Sequence, residues 1–492
     1  MYKKNDKVEL EIIDMTSEGL GLAKLEGQVF FVKDGVVGDK VLANITKVNK
    51  DIIFAKTLNV LVESKFRVKS KCSISNSCGG CQLLNIDFNK QLELKKKNVL
   101  KNITRIGKFE ESEFIYDELV YMDDPCHFRN KMQIPFSKHN GEIIYGFYAG
   151  RTHHIVPFDW CMVGFIGAEN ILEAIKLGLK KYGISIYDEE SHTGVFREVL
   201  LRCANNTNEV SITYILNDDK IENNLKLYKE FDLFVIEEAT KLLNNNNKYY
   251  NDDKVNRKES RRNALLLKFA TSTININTEN NNVLFGNKNV IIRGGGYIED
   301  FIGDVKYHIS PESFYQINNQ LTKRLYDKVV EYGQFDNSQT VLDLYCGIGT
   351  ISLYVANRVK KVIGVEIVKK AIENANSNKI LNQIDNTDFV NMDLSKNFTE
   401  LKKLTSDTKI DAVIVDPPRK GLSDESIKFI KELYPTRLIY VSCESSTLSR
   451  DLNLLCHEGA NKYKLKKVSN FDMFAHTTHI ETVCLLEKNY HE

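Results

Sequence analysis

"TVLDLYCGIGTISL", residues 340–353, decides the fold of this chain. It opens as an apolar run of strand composition broken only by Asp343, and it closes on a segment of helical character. Between the two, Gly347 and Gly349 permit a tight turn and let a ligand come close to the backbone. A dinucleotide loop of the form Gly-x-Gly-x-x-Gly would need a third glycine where Ser352 stands, so a pyrophosphate cradle is disfavoured. Further along, the same texture repeats in "KVIGVEI" (361–367), "DFVNMD" (388–393), "DAVIVD" (411–416), "RLIYVS" (437–442) and "ETVCLLEK" (481–488). Apolar strands alternating with helical segments imply a doubly wound α/β domain with a mainly parallel sheet. Ligands of such sheets bind beyond the carboxyl ends of the strands, and that is where the polar residues of these motifs fall.

The rest of the chain frames that domain. Its 492 residues imply about three domains, and 42% hydrophobic content is that of a globular protein. No apolar stretch follows the start "MYKKNDKVEL", and no run is long and apolar enough to span a bilayer, so a cytoplasmic location with ten reduced cysteines is expected. Sixty-seven basic residues balance sixty-six acidic ones, so a polyanion site has to be a local patch. The candidates are "KFRVKSK" (65–71) and "KKKNVLKNITRIGK" (95–108). Residues 1 to about 61 alternate β-rich runs with glycine turns, which predicts a small barrel of about five strands. Helical spacing predicts a helix in "FNKQLELKKKNVLKNITRIG" (88–107). Residues about 120 to 300 read as strand-rich but poorly periodic. The asparagine-rich tract 242–263 within them reads as a flexible loop without a catalytic role.

The polar residues at the strand ends suggest a chemistry. Glu366 ends "VIGVEI", well placed to accept two hydrogen bonds from ribose hydroxyls. Acid, Gly-x-Gly and strand-ending Glu fit S-adenosylmethionine better than NAD. In "DAVIVDPPRKGL" (411–422) two prolines make a stiff exposed turn that holds Asp416 at the sheet edge. Arg419 follows where base-amine methyltransferases place an aromatic residue, which disfavours exocyclic-amine chemistry. One strand later comes Cys443, and a thiolate is a soft nucleophile suited to C6 of uracil. Addition at C6 makes C5 nucleophilic enough to accept a methyl group. The C5 proton must then leave, and Glu481 in "HTTHIETVCLL" (476–486) is the candidate base, with His479 as an alternative base or orienter.

Taken together, "SPESFYQIN" (310–318), "DLYCGIGT" (343–350), "DPPRKG" (416–421), "SCESSTLSRD" (442–451) and "HIETV" (479–483) resemble the S-adenosylmethionine-dependent RNA uracil-C5 methyltransferases. The resemblance runs along nearly the whole chain and implies a Rossmann-like methyltransferase domain. It implies Cys443 as nucleophile, Glu481 as general base, and Gln316, Tyr345, Glu366 and Asp416 as cofactor contacts, with Phe314 near the target base. Where the family often has Asn-Pro after the nucleophile, this chain has Glu444 and Ser445. A carboxylate pointing at the thiol would raise its pKa, so Glu444 is expected to face away.

Upstream, "KCSISNSCGGCQLL" supplies Cys72, Cys78 and Cys81, and "FDWCMVG" supplies a fourth candidate ligand, Cys161. Thiols grouped so closely in a reducing compartment usually hold metal. One Cys-x-x-Cys pair with two single cysteines favours iron–sulfur over zinc. The remaining cysteines, Cys126, Cys203, Cys346, Cys456 and Cys484, read as ordinary buried thiols. The ribosomal-RNA branch of the resembling family carries a 4Fe-4S cluster and an N-terminal TRAM domain, an OB-like RNA-binding barrel. The implied domains are TRAM (1–61), a β-rich central iron–sulfur domain (62–86 and 119–304) and the methyltransferase domain (87–118 and 305–492). The implied activity is methylation of a uridine in 23S ribosomal RNA to 5-methyluridine through a covalent Cys–C6 adduct. A tRNA uracil-C5 methyltransferase and a non-catalytic RNA-binding iron–sulfur protein are the alternatives. The expected partner is 23S ribosomal RNA, with no membrane, no obligate protein partner and a monomeric chain.

Overall fold

The structure, a computed structural model, describes residues 2–489 except 151, 246–265, 282, 395–397 and 407, and gives no side-chain account of 400 and 404. The predicted α/β domain is there. Eight strands lie in the spatial order Thr387–Asn391, Lys361–Glu366, Thr340–Leu344, Ala412–Val415, Arg437–Ser442, Glu481–Lys488, Tyr463–Phe471 and Ile115–Val120. The first five are mutually parallel, and Glu481–Lys488 runs antiparallel to both of its neighbours. From Thr340–Leu344 the chain first builds outward to one side and then, at Ala412–Val415, to the other. The crevice at that reversal is where doubly wound sheets bind ligands.

Burial follows the period of two that a pleated strand imposes. Val341, Ile414, Ile439, Val483 and Leu485 face one core, shared with residues of the helices Asn319–Gly333 and Thr350–Ala356. Leu342, Leu344, Val413, Val415, Leu438 and Tyr440 face the other, shared with the helices Asp424–Leu433 and Ser445–Cys456. Both faces being covered, these strands read as continuous apolar runs rather than alternating ones.

Two elements reach this sheet from far upstream. The predicted helix spans Phe88–Arg105, with Asp87 capping it by accepting from the Lys90 amide, and it packs on Ser445–Cys456 through an Asn102–Ser445 hydrogen bond of 2.8 Å. Ile115–Val120 then adds the outer strand beside Tyr463–Phe471.

Residues 7–62 form a six-stranded sheet, one strand more than expected, because a short strand Asp14–Met15 also pairs. The two edge strands, Lys7–Glu11 and Asp14–Met15, are separated in the chain only by Ile12 and Ile13, so the sheet returns on itself around a core that includes Leu10, Phe30, Val41, Ile45 and Ile53. The central region carries a seven-stranded, largely antiparallel sheet. It also carries two helices that the periodicity did not disclose, Ala168–Tyr182 and Ile221–Asn245. The second takes residues 242–245 out of the expected loop, and the rest of that tract, 246–263, lies outside the described residues. Among the described residues, no helix is long and apolar enough to cross a membrane.

The basic run at 95–108 is not one exposed patch. Lys95 is buried against Asp472, Lys96 lies over the Tyr116 ring at 3.9 Å, and Lys97 bonds both oxygens of Asp14 at 3.0 Å, tying the N-terminal sheet to the helix. In the other run, Arg67 is turned inward onto the buried Asp39. Helical packing, invisible in a count of charges, separates these side chains onto different faces.

Candidate active site

The sheet order puts Asp416, Cys443 and Glu481 at the ends of three adjacent strands. Ser442 pairs with Thr482 in antiparallel register, so Cys443, which follows the one, and Glu481, which precedes the other, lie at the same end of adjacent strands. Asp416 follows Val415, which pairs with Tyr440 on the same strand as Cys443.

The electrostatics of this cluster are those of a site that holds protons. Burial, and then the Asp416 charge, push Glu481 up to about 8, while the Arg419 cation acts against them. Burial and the Asp343 carboxylate raise Asp416 to about 7. Burial followed by Glu481 and Asp416 pushes the Cys443 thiol up to about 12, and Arg419 again opposes. One oxygen of Glu481 is buried without a hydrogen-bond partner. A buried polar atom left unpaired is costly unless something else fills that place, and here it sits near the Cys443 thiol.

Arg419 is the residue whose part the sequence did not disclose: its charge opposes the upward shifts of both Cys443 and Glu481. Its Nη2 lies 3.4 Å from His479 Nε2, and its carbonyl accepts from Thr447 at 3.0 Å. Burial, and then the Arg419 charge, lower the His479 pKa. Glu444 caps its own helix, accepting from the Ser446 amide at 3.2 Å and the Ser446 hydroxyl at 2.8 Å, which engages it away from Cys443 as expected.

A second cluster lies at the neighbouring strand ends. Glu366 accepts from the Gly347 amide at 3.2 Å and the Val368 amide at 2.9 Å, so its carboxylate is fixed at the mouth of the Gly-x-Gly loop. Gly347 has φ +56°, and a Cβ built there would meet nothing within 4 Å. Beside it Ile367 and Val368 leave apolar side chains 56% and 53% exposed. Asp343 is fully buried, accepts from Ser352 at 2.5 Å and keeps its other oxygen unpartnered; burial raises its carboxyl to about 7. An open cradle of glycine backbone, a fixed carboxylate and an exposed apolar ledge suit a nucleoside such as that of S-adenosylmethionine.

Tyr345 stands at φ +68°, a conformation that non-glycine residues adopt at a cost and that clusters at functional sites. Its hydroxyl meets Ser426 at 3.0 Å, so the phenol is held against the helix Asp424–Leu433.

Gln316 and Phe314 sit on a segment pinned from the central domain. Asn130 donates to the Gln316 carbonyl at 2.8 Å, its amide donates to Ile317 at 3.0 Å, and the buried Arg202 donates to the carbonyls of Pro311 and Ser313. Gln316 is buried, whereas Phe314 is 67% exposed, an unusual place for a phenyl ring without a partner to cover it.

The cysteines meet in part. Cys72, Cys78, Cys81 and Cys161 line one cavity with Arg129 and Trp160. Burial raises the Cys81 and Cys161 thiols to about 12, and the thiols act on one another. Among the described residues, no group of three or more His, Cys, Asp or Glu side chains is close enough to hold a metal ion. Of the remaining cysteines Cys203, Cys346, Cys456 and Cys484 are buried, and Cys126 is only half-buried.

Comparison with known proteins gives the family of the chain. A family profile described as tRNA (Uracil-5-)-methyltransferase matches residues 287–489. Proteins described as uncharacterized RNA methyltransferases are 36% identical in Bacillus cereus, over 99% of this chain and 97% of that one, and 35% identical in Clostridium acetobutylicum, over 99% and 98%. The crystal structure of the Pyrococcus abyssi tRNA (uracil-54, C5)-methyltransferase with S-adenosyl-L-homocysteine superposes with a TM-score of 0.71, covering 97% of this chain and 99% of that one at 24% identity.

Proposed function

This chain belongs to the RNA uracil-C5 methyltransferase family, and from that membership we propose that Cys443 and Glu481 carry out its reaction on a uridine of 23S ribosomal RNA. The activity is S-adenosylmethionine-dependent methylation of RNA uracil at C5. The observation that carries the residue assignment is the pair at adjacent strand ends: a thiol within electrostatic reach of a buried carboxyl with one unpartnered oxygen. Gln316, Tyr345, Glu366 and Asp416 hold the cofactor, which when bound supplies an electrophilic sulfonium methyl.

The protein's own residues handle the electron pairs and the proton. The Cys443 thiolate adds to C6, the ring electrons move to make C5 nucleophilic, and C5 takes the methyl group. Glu481 removes the C5 proton, the C5–C6 double bond re-forms, and the Cys443–C6 bond breaks to release the thiolate. Arg419 favours the ionised forms of both groups. A stacked uracil cannot present C6 to a thiol, so the target base is extruded or lies in an unpaired loop, with the exposed Phe314 a surface for it.

The remaining assignments belong to the same reading. Residues 1–61 are a TRAM domain. Residues 62–86 and 119–304 form the central domain, and 87–118 with 305–492 the catalytic one. The chain acts as a cytoplasmic monomer. Cys72, Cys78, Cys81 and Cys161 bind a 4Fe-4S cluster, supported by their common cavity. A tRNA substrate is the second reading. The tRNA enzyme of Pyrococcus abyssi is coextensive with this chain in fold, so a barrel and a central domain do not by themselves separate the two substrates.

The test is direct. With 5-fluorouridine RNA, whose fluorine cannot be abstracted as a proton, the protein should form a stable covalent adduct that is lost in Cys443→Ala. An unchanged adduct in that variant rejects the nucleophile. Run with 5-fluorouridine-substituted 23S RNA and 5-fluorouridine-substituted tRNA, the same assay decides the substrate.

A further inference from the structure

The segment 472–480, which delivers Glu481 to the site, is held from behind by one face of the helix Phe88–Arg105. Lys95 is 2% exposed at its side chain and Asp472 is fully buried, and they meet at 2.5 Å. The Lys95 ammonium also donates to the Phe474 carbonyl at 3.0 Å. One turn earlier, Gln91 donates to the carbonyls of Leu83 at 2.9 Å and Ile86 at 2.8 Å, and its Nε2 lies 3.4 Å from His476 Nδ1. The Leu83 amide donates to the His476 carbonyl at 2.9 Å, two residues beyond Cys81. His476 itself stands at φ +64°.

A buried ion pair is a weak source of stability, because desolvation offsets most of the attraction. Here one oxygen of Asp472 is left buried without a partner, so the pair is further from an optimal stabilising arrangement. Its position is the informative feature. Asp472 directly follows the strand Tyr463–Phe471, and Phe474 and His476 lie in the segment between that strand and Glu481. With the Asp472 amide donating to the Val120 carbonyl and the Met473 carbonyl accepting from Asn318, this segment is gripped at Asp472, Met473, Phe474 and His476.

We propose that Lys95 and Gln91 are positioning residues for the general base: they fix the 472–476 backbone so that Glu481 stands within reach of the C5 proton. They also couple that backbone to the loop that carries Cys78 and Cys81. The proposal rests on the reading of Glu481 as the base. It predicts a specific defect. Addition of Cys443 to C6 and methyl transfer should proceed, while proton removal and release of the thiolate slow, so the methylated covalent complex should accumulate.

The experiment compares Glu481→Gln, the double variant Lys95→Met/Asp472→Asn, Gln91→Met and the conservative Lys95→Arg on unmodified RNA. The double variant removes both buried charges together, avoiding a stranded one. Binding of S-adenosyl-L-homocysteine serves as the folding control. Expected are a methylated protein–RNA adduct in Glu481→Gln, the same adduct with turnover reduced about tenfold in the double variant and Gln91→Met, and partial recovery in Lys95→Arg. If Glu481→Gln gives no adduct, the base assignment fails. If it does, and the folded Lys95 and Gln91 variants turn over normally or lose adduct formation and release alike, the positioning proposal is overturned. Should the double variant not bind S-adenosyl-L-homocysteine, Gln91→Met decides by the same two outcomes.

Discussion

Three acids in this site sit above their ordinary range, and the sign of that shift fixes two pH effects. Glu481 moves from 4.5 to about 8, and Asp416 and Asp343 move from 3.8 to about 7. A carboxyl whose folded pKa is raised keeps a proton that the unfolded chain has already lost. Each acid therefore costs stability as pH rises through the window between its two values. The ligand-free protein should melt at a lower temperature at about pH 9 than at about pH 6, and Glu481→Gln should flatten that slope. A slope of the opposite sign would show that these carboxyls are ionised in the fold. Catalysis runs the other way, since the base must be deprotonated, so single-turnover release should accelerate as pH passes about 8. Arg419→Gln removes the cation opposing both shifts and should move that profile to higher pH. At this scale the sequence placed Cys443, Asp416 and Glu481 at neighbouring strand ends, because each bounds an apolar run. It did not disclose Arg419 as the balancing charge or Lys95 as a buried one. Their roles depend on what packs over them, and a lysine within "KKKNVLK" carries no mark of burial.

The turn after Asp416 shows how an element holds such residues in place. Gly421 has φ +75°, and a Cβ there would stand 2.5 Å from Asp451 Oδ2 and 2.7 Å from Arg450 Nη2. Asp451 accepts from the Leu422 amide at 2.7 Å and the Tyr440 hydroxyl at 2.6 Å and pairs with Arg450 at 2.6 Å. The turn bearing Arg419 is thereby fastened to the helix that begins beside Cys443. Gly421→Ala should destabilise the protein by roughly 1–2 kcal/mol from backbone strain alone, read from urea unfolding. It should also slow adduct formation by displacing Arg419; a variant with normal stability and normal adduct rate would show that the turn relaxes freely. The two helices that escaped the sequence reading differ in kind. In Ile221–Asn245 the buried Tyr228, Phe231, Val235 and Ala239 follow helical spacing, so that signal was present but lay in a region read as strand-rich. In Ala168–Tyr182 the first five residues are all buried, which erases the amphipathic stripe that periodicity depends on.

Across the whole molecule, the four-cysteine cavity lies where three parts of the chain meet. Cys72, Cys78 and Cys81 come from the stretch between the N-terminal sheet and the helix Phe88–Arg105, and Cys161 comes from the central region. Cys81 and Cys161 also pack against the core that contains Met473 and Ala475, on the segment leading to Glu481. A group bound by all four thiolates would cross-link these parts, restricting the unfolded chain as any covalent closure of a long loop does. The cysteine spacing made the first three legible as a set. Cys161 stood only as a lone cysteine farther along, because side chains brought to one cavity across a helix and several strands leave no periodic trace. Protein purified without oxygen should contain iron and acid-labile sulfide in equal amounts. Cys161→Ala should lose both, unfold at a lower temperature and retain measurable S-adenosyl-L-homocysteine binding, since the Gly-x-Gly cradle is built wholly from the catalytic sheet. Stoichiometric zinc without iron would reject the cluster. An iron-free protein whose melting temperature does not change on Cys161→Ala would show that the cavity is an ordinary pocket of thiols.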